Sequence, residues 1–192
     1  MTNSVRMTML QAAAATGGEL LGNGQAAFVG LTIDSRQVER GNAFVAIVGE
    51  RFDGHRFCAQ AAADGAALLV VSAPPDPRPP QTAVLVCEDT RLALGALAHA
   101  WRQEVDPQVI AITGSLGKTT TKELVRNIMT AAGETHCTPG NFNNDIGLPL
   151  TLLSMDPATR YLVTEMGMNA PGEIAALAAL ARPDVGLITC VA

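Results

Sequence analysis

Thr113-Gly114-Ser115-Leu116-Gly117-Lys118-Thr119-Thr120 stands between an apolar run, Val109 to Thr113, and a stretch from about Lys118 with apolar residues at helical spacing. A strand, a glycine turn and a helix in that order constrain the fold more than any other feature. Apolar strands alternating with helices imply crossovers and a parallel sheet covered on both faces. The turn aims successive backbone N–H groups, and the positive end of the helix dipole, at an anion. Gly114, Ser115, Leu116, Gly117, Lys118, Thr119 and Thr120 are therefore read as phosphate-binding residues of a nucleotide site. Lys118 would neutralise β- and γ-phosphate charge and act in catalysis, while the Thr119 hydroxyl would hold Mg²⁺. The motif is a shortened form, since Ile112 occupies the place of the first glycine in G-x-x-x-x-G-K-[ST]. Lys118 and Lys122 are the only lysines, against eleven arginines, so a compact ammonium in the turn answers a specific need.

Around this turn the chain reads as α/β throughout. Thr8 caps a first helix closed by Gly17-Gly18. Strands are expected over Phe28 to Ile33, Ala43 to Val48, Ala67 to Val71 and Ala83 to Cys87, with a helix from His55 to Asp64. The prolines of Pro74 to Pro80 mark an exposed loop. From Asp89, the stripe Leu92, Ala93, Ala96, Leu97, Ala100 and Trp101 predicts an amphipathic helix. Asp106-Pro107 then divides a small N-terminal α/β domain, 1–105, from the start of a parallel-sheet phosphate-binding domain, 106–192. In the second part, the helix from Lys118 is expected to bury Leu124, Val125, Ile128, Met129 and Ala132. Strands follow at Leu162 to Thr164 and Val185 to Val191, around a helix opened by Pro171 with Ile174, Leu177, Ala178 and Ala181 inward. The chain ends on an apolar strand with no helix to cover it, so it is expected to be the front portion of a larger protein.

The charge balance narrows the function classes. A formal net charge of −5 argues against a nucleic-acid surface, which needs a basic stripe. No apolar stretch approaches the roughly 18 residues of a membrane span, and Met1 to Leu10 lacks the pattern of a secretory signal. A cytoplasmic location is expected. Cys58, Cys87, Cys137 and Cys190 are far apart, without metal-ligand spacing, and read as small hydrophobes.

Outside the turn, Glu165 closes the apolar strand at Leu162 to Thr164. Carboxyl ends of parallel strands converge on the ligand crevice, so Glu165 either completes a Mg²⁺ shell or is a solvated loop residue. The segment Gly140 to Pro149, with Asn141, Asn143 and Asn144, either hydrogen-bonds a polar ligand or forms Asx turns. Asp34-Ser35-Arg36 reads as a turn after a strand, and His55 as a helix cap. His99 reads as structural, and His136, before a loop, as within reach of a ligand.

Three segments, T-G-S-L-G-K-T-T-T-K-E at Thr113 to Glu123, G-N-F-N-N-D-I-G-L-P-L-T-L-L at Gly140 to Leu153, and E-M-G-M-N-A-P-G-E-I at Glu165 to Ile174, resemble the Mur ligase family of peptidoglycan synthesis. In the first part, T-I-D-S-R at Thr32 to Arg36 and G-E-R-F-D-G-H-R-F at Gly49 to Phe57 resemble its UDP-binding region. The resemblance implies ATP-dependent amide formation through an acyl phosphate, with Mg²⁺. The partners it implies are UDP-MurNAc-tripeptide and D-Ala-D-Ala, used by a protein that is a monomer at full length. It places Ser35, Arg36, Asp53, Gly54, His55, Asn141, Asn143 and Asn144 toward the UDP substrate, and Thr119 and Glu165 on Mg²⁺. The family has three domains, so this chain by itself is expected to be inactive. Other readings stay open: a phosphotransferase or simple NTPase with the same turn, a UDP-sugar-binding module, or the ligase that adds the third amino acid.

Overall fold

In the computed structural model, which describes residues 4–49 and 52–191, a short strand β1 (Arg6–Thr8) leads into helix α1 (Met9–Thr16). The Thr8 hydroxyl accepts from the Gln11 N–H while the Gln11 side chain accepts from the Thr8 N–H. This capping box fixes where the helix starts, and Gly17, at φ +68°, ends it. There follow β2 (Glu19–Leu21), β3 (Ala27–Val29), β4 (Leu31–Thr32), β5 (Ala43–Val45), α2 (Cys58–Ala63), β6 (Leu68–Val71), β7 (Ala83–Val86) and α3 (Thr90–Val105). Five strands form one sheet in the order β2-β7-β6-β5-β4, parallel except for the antiparallel β2–β7 edge, and β1 pairs separately with β3.

The single strand expected over Phe28 to Ile33 is two strands. Gly30 lies at φ +79° and turns the chain, so β3 joins β1 while β4 joins β5. The helix expected from His55 opens instead as a 3-10 turn, Gly54–Phe57, capped by Asp53. One face of the sheet buries Phe44, Ala46, Leu69, Val71 and Val84 with Cys58 and Ala61 of α2. Pro74 to Pro80 run over the surface, as their missing donors require.

Helix α3 buries Ala93, Leu94, Leu97, Ala98 and Trp101, whereas Leu92 is 74% exposed. The apolar stripe is therefore rotated from the expected one, with Leu94 taking the inward place of Leu92. The chain divides into Met1–Leu97 and Ala98–Ala192, inside this helix and ahead of Asp106-Pro107. Its last turns belong to the second unit: there Trp101 Nε1 donates to the Met155 carbonyl at 3.2 Å and Arg102 Nε to that of Ala181 at 3.0 Å.

The second unit comprises β8 (Gln108–Thr113), α4 (Lys118–Ala132), β9 (Thr135–Cys137), α5 (Gly147–Leu153), β10 (Tyr161–Glu165), α6 (Glu173–Ala181) and β11 (Val185–Ile188). Its sheet is parallel throughout, in the order β11-β8-β10-β9. Glu165 pairs with Ile112 in the β10–β8 register, which sets its carboxylate beside the glycine turn. Leu124 and Ile128 of α4 are 60% and 68% exposed, contrary to the inward face expected for them. The residue of α4 that is buried is Lys122. Among the described residues, no helix is long and apolar enough to cross a membrane.

Candidate functional site

The turn between β8 and α4 needs its glycines. Gly117 adopts φ +79° at the N-cap of α4, a left-handed conformation that releases the helix N-terminus toward the turn. Gly114 lies at φ +136°, and a Cβ there would run into the Thr189 hydroxyl and the Cys190 backbone. The residues after β11 brace the turn: Ser115 N–H donates to the Cys190 carbonyl at 2.8 Å and Thr189 N–H to that of Thr113 at 3.0 Å. Thr189 Oγ1 also donates to the Leu116 carbonyl at 2.5 Å. Lys118 Nζ curls over the turn and donates to the Gly114 carbonyl at 2.7 Å, while Leu116 and Cys190 are exposed. Cys190, read from the sequence as a small hydrophobe, is therefore exposed rather than packed away.

Glu165 is 2% exposed and so is no solvated loop residue. Thr119 Oγ1 donates to its Oε2 at 2.9 Å and Asn143 Nδ2 to its Oε1 at 2.9 Å. Both donors are neutral, so neither supplies a positive charge to this buried carboxyl group. A carboxylate and a hydroxyl are oxygen donors of the kind Mg²⁺ takes, and waters or a ligand's oxygens would fill the rest of its octahedron. The residues present therefore fit Mg²⁺.

The asparagines separate by role. Asn143 reaches Glu165. Asn144 Oδ1 accepts from the N–H groups of Ile146 and Gly147 at 3.3 and 2.8 Å, an Asx turn that opens α5. Asn141 is exposed, its carbonyl accepting from Asn143 N–H at 2.8 Å. Lys122, not singled out from the sequence as a site residue, donates to the carbonyls of Thr138 and Gly140 at 3.0 and 3.1 Å. Its i,i+3 spacing from Thr119 was the available signal.

In the first unit, the 3-10 turn Ser35–Gln37 lies against α2, and Asp53 to His55 lead into α2. Arg36 donates to Asp34 through Nε to Oδ1 at 2.9 Å and through Nη2 to Oδ2 at 2.6 Å, and these hydrogen bonds hold the Asp34 carboxyl down at about 2. The Arg36 side chain remains exposed. Ser72 N–H donates to His55 Nε2 at 2.9 Å. Because a backbone N–H has no acceptor role, the ring proton resides on Nδ1, which donates to Asp53 Oδ1 at 2.7 Å. The His55 backbone N–H is the main influence holding the Asp53 carboxyl below its usual range. Gly54 is packed so closely that a Cβ would meet the Ala46 and Ile47 backbone. Glu50 and Arg51 of the Gly49 to Phe57 motif lie outside the described residues.

The other two histidines bond within the second unit. His99 Nδ1 faces the Leu180 carbonyl at 2.9 Å. His136 Nε2 meets Ser154 Oγ at 3.0 Å, and burial pulls its pKa down.

Comparison with known proteins converges on one family. The Mur ligase middle domain matches residues 112–192, and the catalytic domain of the Mur ligase family matches residues 27–102. The chain belongs to the Mur ligase family. Among Mur ligases, it is 48% identical to the UDP-N-acetylmuramoyl-tripeptide--D-alanyl-D-alanine ligase of Escherichia coli K12, over 84% of this chain and 35% of that protein. Crystal structure I of MurF from Acinetobacter baumannii matches with a TM-score of 0.90 at 41% identity, over 97% of this chain and 41% of the other. MurF ligase from Thermotoga maritima in complex with ADP matches with a TM-score of 0.77 at 34% identity, over 83% of this chain and 37% of the other. The chain thus spans well under half the length of these Mur ligases.

Proposed function

We propose that this chain carries the substrate-end and phosphate-binding parts of an ATP-dependent ligase that joins D-Ala-D-Ala to UDP-MurNAc-tripeptide in the cytoplasm. Residues 1–105 take the UDP end through Ser35, Arg36, Asp53, Gly54 and His55. Residues 106–192 take the phosphates of ATP on Gly114 to Thr120. The carrying observation is the 2.9 Å contact of Thr119 with buried Glu165 at the end of a braced glycine turn, in a chain closely similar to ligases of that specificity.

Ligation in two steps suits this geometry. A carboxylate is a poor acyl donor, so its oxygen first attacks the γ-phosphorus and the bond to the departing ADP oxygen breaks. The dipeptide amine then attacks the acyl carbon, phosphate leaves and the nitrogen loses its proton. Lys118, once released from the Gly114 carbonyl, reaches the transferring phosphoryl group and stabilises its charge. Backbone N–H groups of the turn orient the phosphates. Thr119 and Glu165 would hold Mg²⁺, which would supply further neutralisation of the phosphate oxygens.

The deciding experiment uses the whole ligase. Phosphate release that requires both UDP-muramoyl tripeptide and D-Ala-D-Ala is the expected result. Transfer of labelled phosphate to a stable product would replace this reading with a phosphotransferase.

A further inference from the structure

Lys122 is 1% exposed, and the phosphate chemistry above makes no use of it. A buried ammonium is costly unless its donors are satisfied, so its partners show what it is kept for. Nζ donates to the carbonyls of Thr138 and Gly140 and lies 3.5 Å from Glu123 Oε1. Those two carbonyls begin the segment that leaves β9 and arrives at Asn143. At its near end the segment is tied into the sheet. Thr138 N–H donates to the Val163 carbonyl at 3.0 Å. Thr138 Oγ1 donates to Thr164 Oγ1 at 3.1 Å and accepts from Glu165 N–H at 3.2 Å. At its far end Asn143 gives Nδ2 to Glu165 Oε1, and its carbonyl accepts from Gly167 N–H at 2.8 Å.

Thr119 and Lys122 lie one turn apart on the same side of α4. One holds Glu165 directly by Oε2; the other holds the segment whose asparagine takes Oε1. We propose that Lys122 is a positioning residue, pinning the segment from Thr138 to Gly140 so that Asn143 occupies Oε1 and Glu165 offers a metal ion Oε2 alone. A carboxylate restricted to one oxygen suits Mg²⁺, whereas Ca²⁺ takes bidentate carboxylates readily. This rests on the nucleotide reading of the preceding subsection.

The test uses the 192-residue chain with K122M, which keeps the apolar stem, and N143A. Without ligand, the side-chain amide of Asn143 is followed by ¹⁵N NMR. It should be protected from exchange in the parent chain and lose that protection in K122M. Calorimetry then follows ADP binding as Mg²⁺ or Ca²⁺ is titrated. Both variants should raise the half-saturating Mg²⁺ concentration roughly tenfold or more and narrow the preference for Mg²⁺ over Ca²⁺. The double variant should be no worse than the weaker single one, since the two residues act through one contact. A wild-type Asn143 signal in K122M, or an unchanged Mg²⁺ requirement in N143A, overturns the proposal. Should K122M fail to fold, N143A decides by the same criterion. Failure of the parent chain to bind ADP counts against the nucleotide reading, while the NMR comparison still decides whether Lys122 places Asn143.

Discussion

Lys118 Nζ rests on the carbonyl of Gly114, four residues earlier, at 2.7 Å, so the ammonium already lies over the turn that its backbone shapes. Lys118→Ala in the whole ligase should lower the rate of phosphate release roughly 10²- to 10³-fold, as the loss of one preorganised charge-stabilising donor does. Far-ultraviolet circular dichroism should be unchanged, because Lys118 is no core residue. Parent-level turnover in this variant would remove the phosphate assignment.

Gly114→Ala should damage the fold as well as the site. At φ +136° an L side chain is strained, and the new methyl would meet Thr189 and the Cys190 backbone. Strain of this kind costs on the order of 1–3 kcal/mol before the clash is added. A urea midpoint equal to that of the parent would mean that the turn has room the geometry denies.

Acidification should destabilise the second unit through His136. Burial lowers its folded pKa from the ordinary 6.5, so the unfolded chain binds the proton first. Its contribution is complete above pH 6.5 and is lost as pH falls below it, with a slope of at most about 1.4 kcal/mol per pH unit. Asp34, held at about 2, contributes above its unfolded value of 3.8 and loses that only in stronger acid, so it does not confuse this window. Urea unfolding at pH 7.5 and 5.5 should show the loss, and His136→Gln should shrink it.

Side chains of similar size should respond very differently to truncation in this chain. Leu97 is fully buried in α3, and Leu97→Ala should cost about 2–5 kcal/mol. Ile128 is 68% exposed on α4, and Ile128→Ala should stay within about 0.5 kcal/mol. Comparable losses in thermal unfolding would contradict the orientation of α4.

Those two helices also show what the sequence reveals. Periodicity located both of them, yet an apolar stripe says only that one face is apolar. It cannot say whether that face meets a neighbour, and on α4 it was Lys122 that turned inward. Strand β9 escaped notice because Thr135-His136-Cys137 is short and half-buried, with no alternation to detect. Helix α5 was hidden by Pro149, which a first helical turn tolerates, and by an asparagine run that also reads as turns. The glycine turn between a strand and a helix, by contrast, was legible in detail because glycine, lysine and threonine each have a local reason for their place. The partnership of Asn143 with Glu165 was not, since it joins positions 22 residues apart through a loop whose path only the tertiary structure defines.

The brace between the glycine turn and the residues after β11 makes the turn and the sheet edge a single cooperative element. The hydrogen bonds given by Ser115 N–H, by Thr189 N–H and by the Thr189 hydroxyl to the Thr113 and Leu116 carbonyls must break for either one to move away from the other. Any anion that tightens the turn thereby lowers the frequency with which the edge strand opens. Amide exchange along Val185–Ile188 should then report whether an anion occupies the turn, read on a strand outside the turn itself.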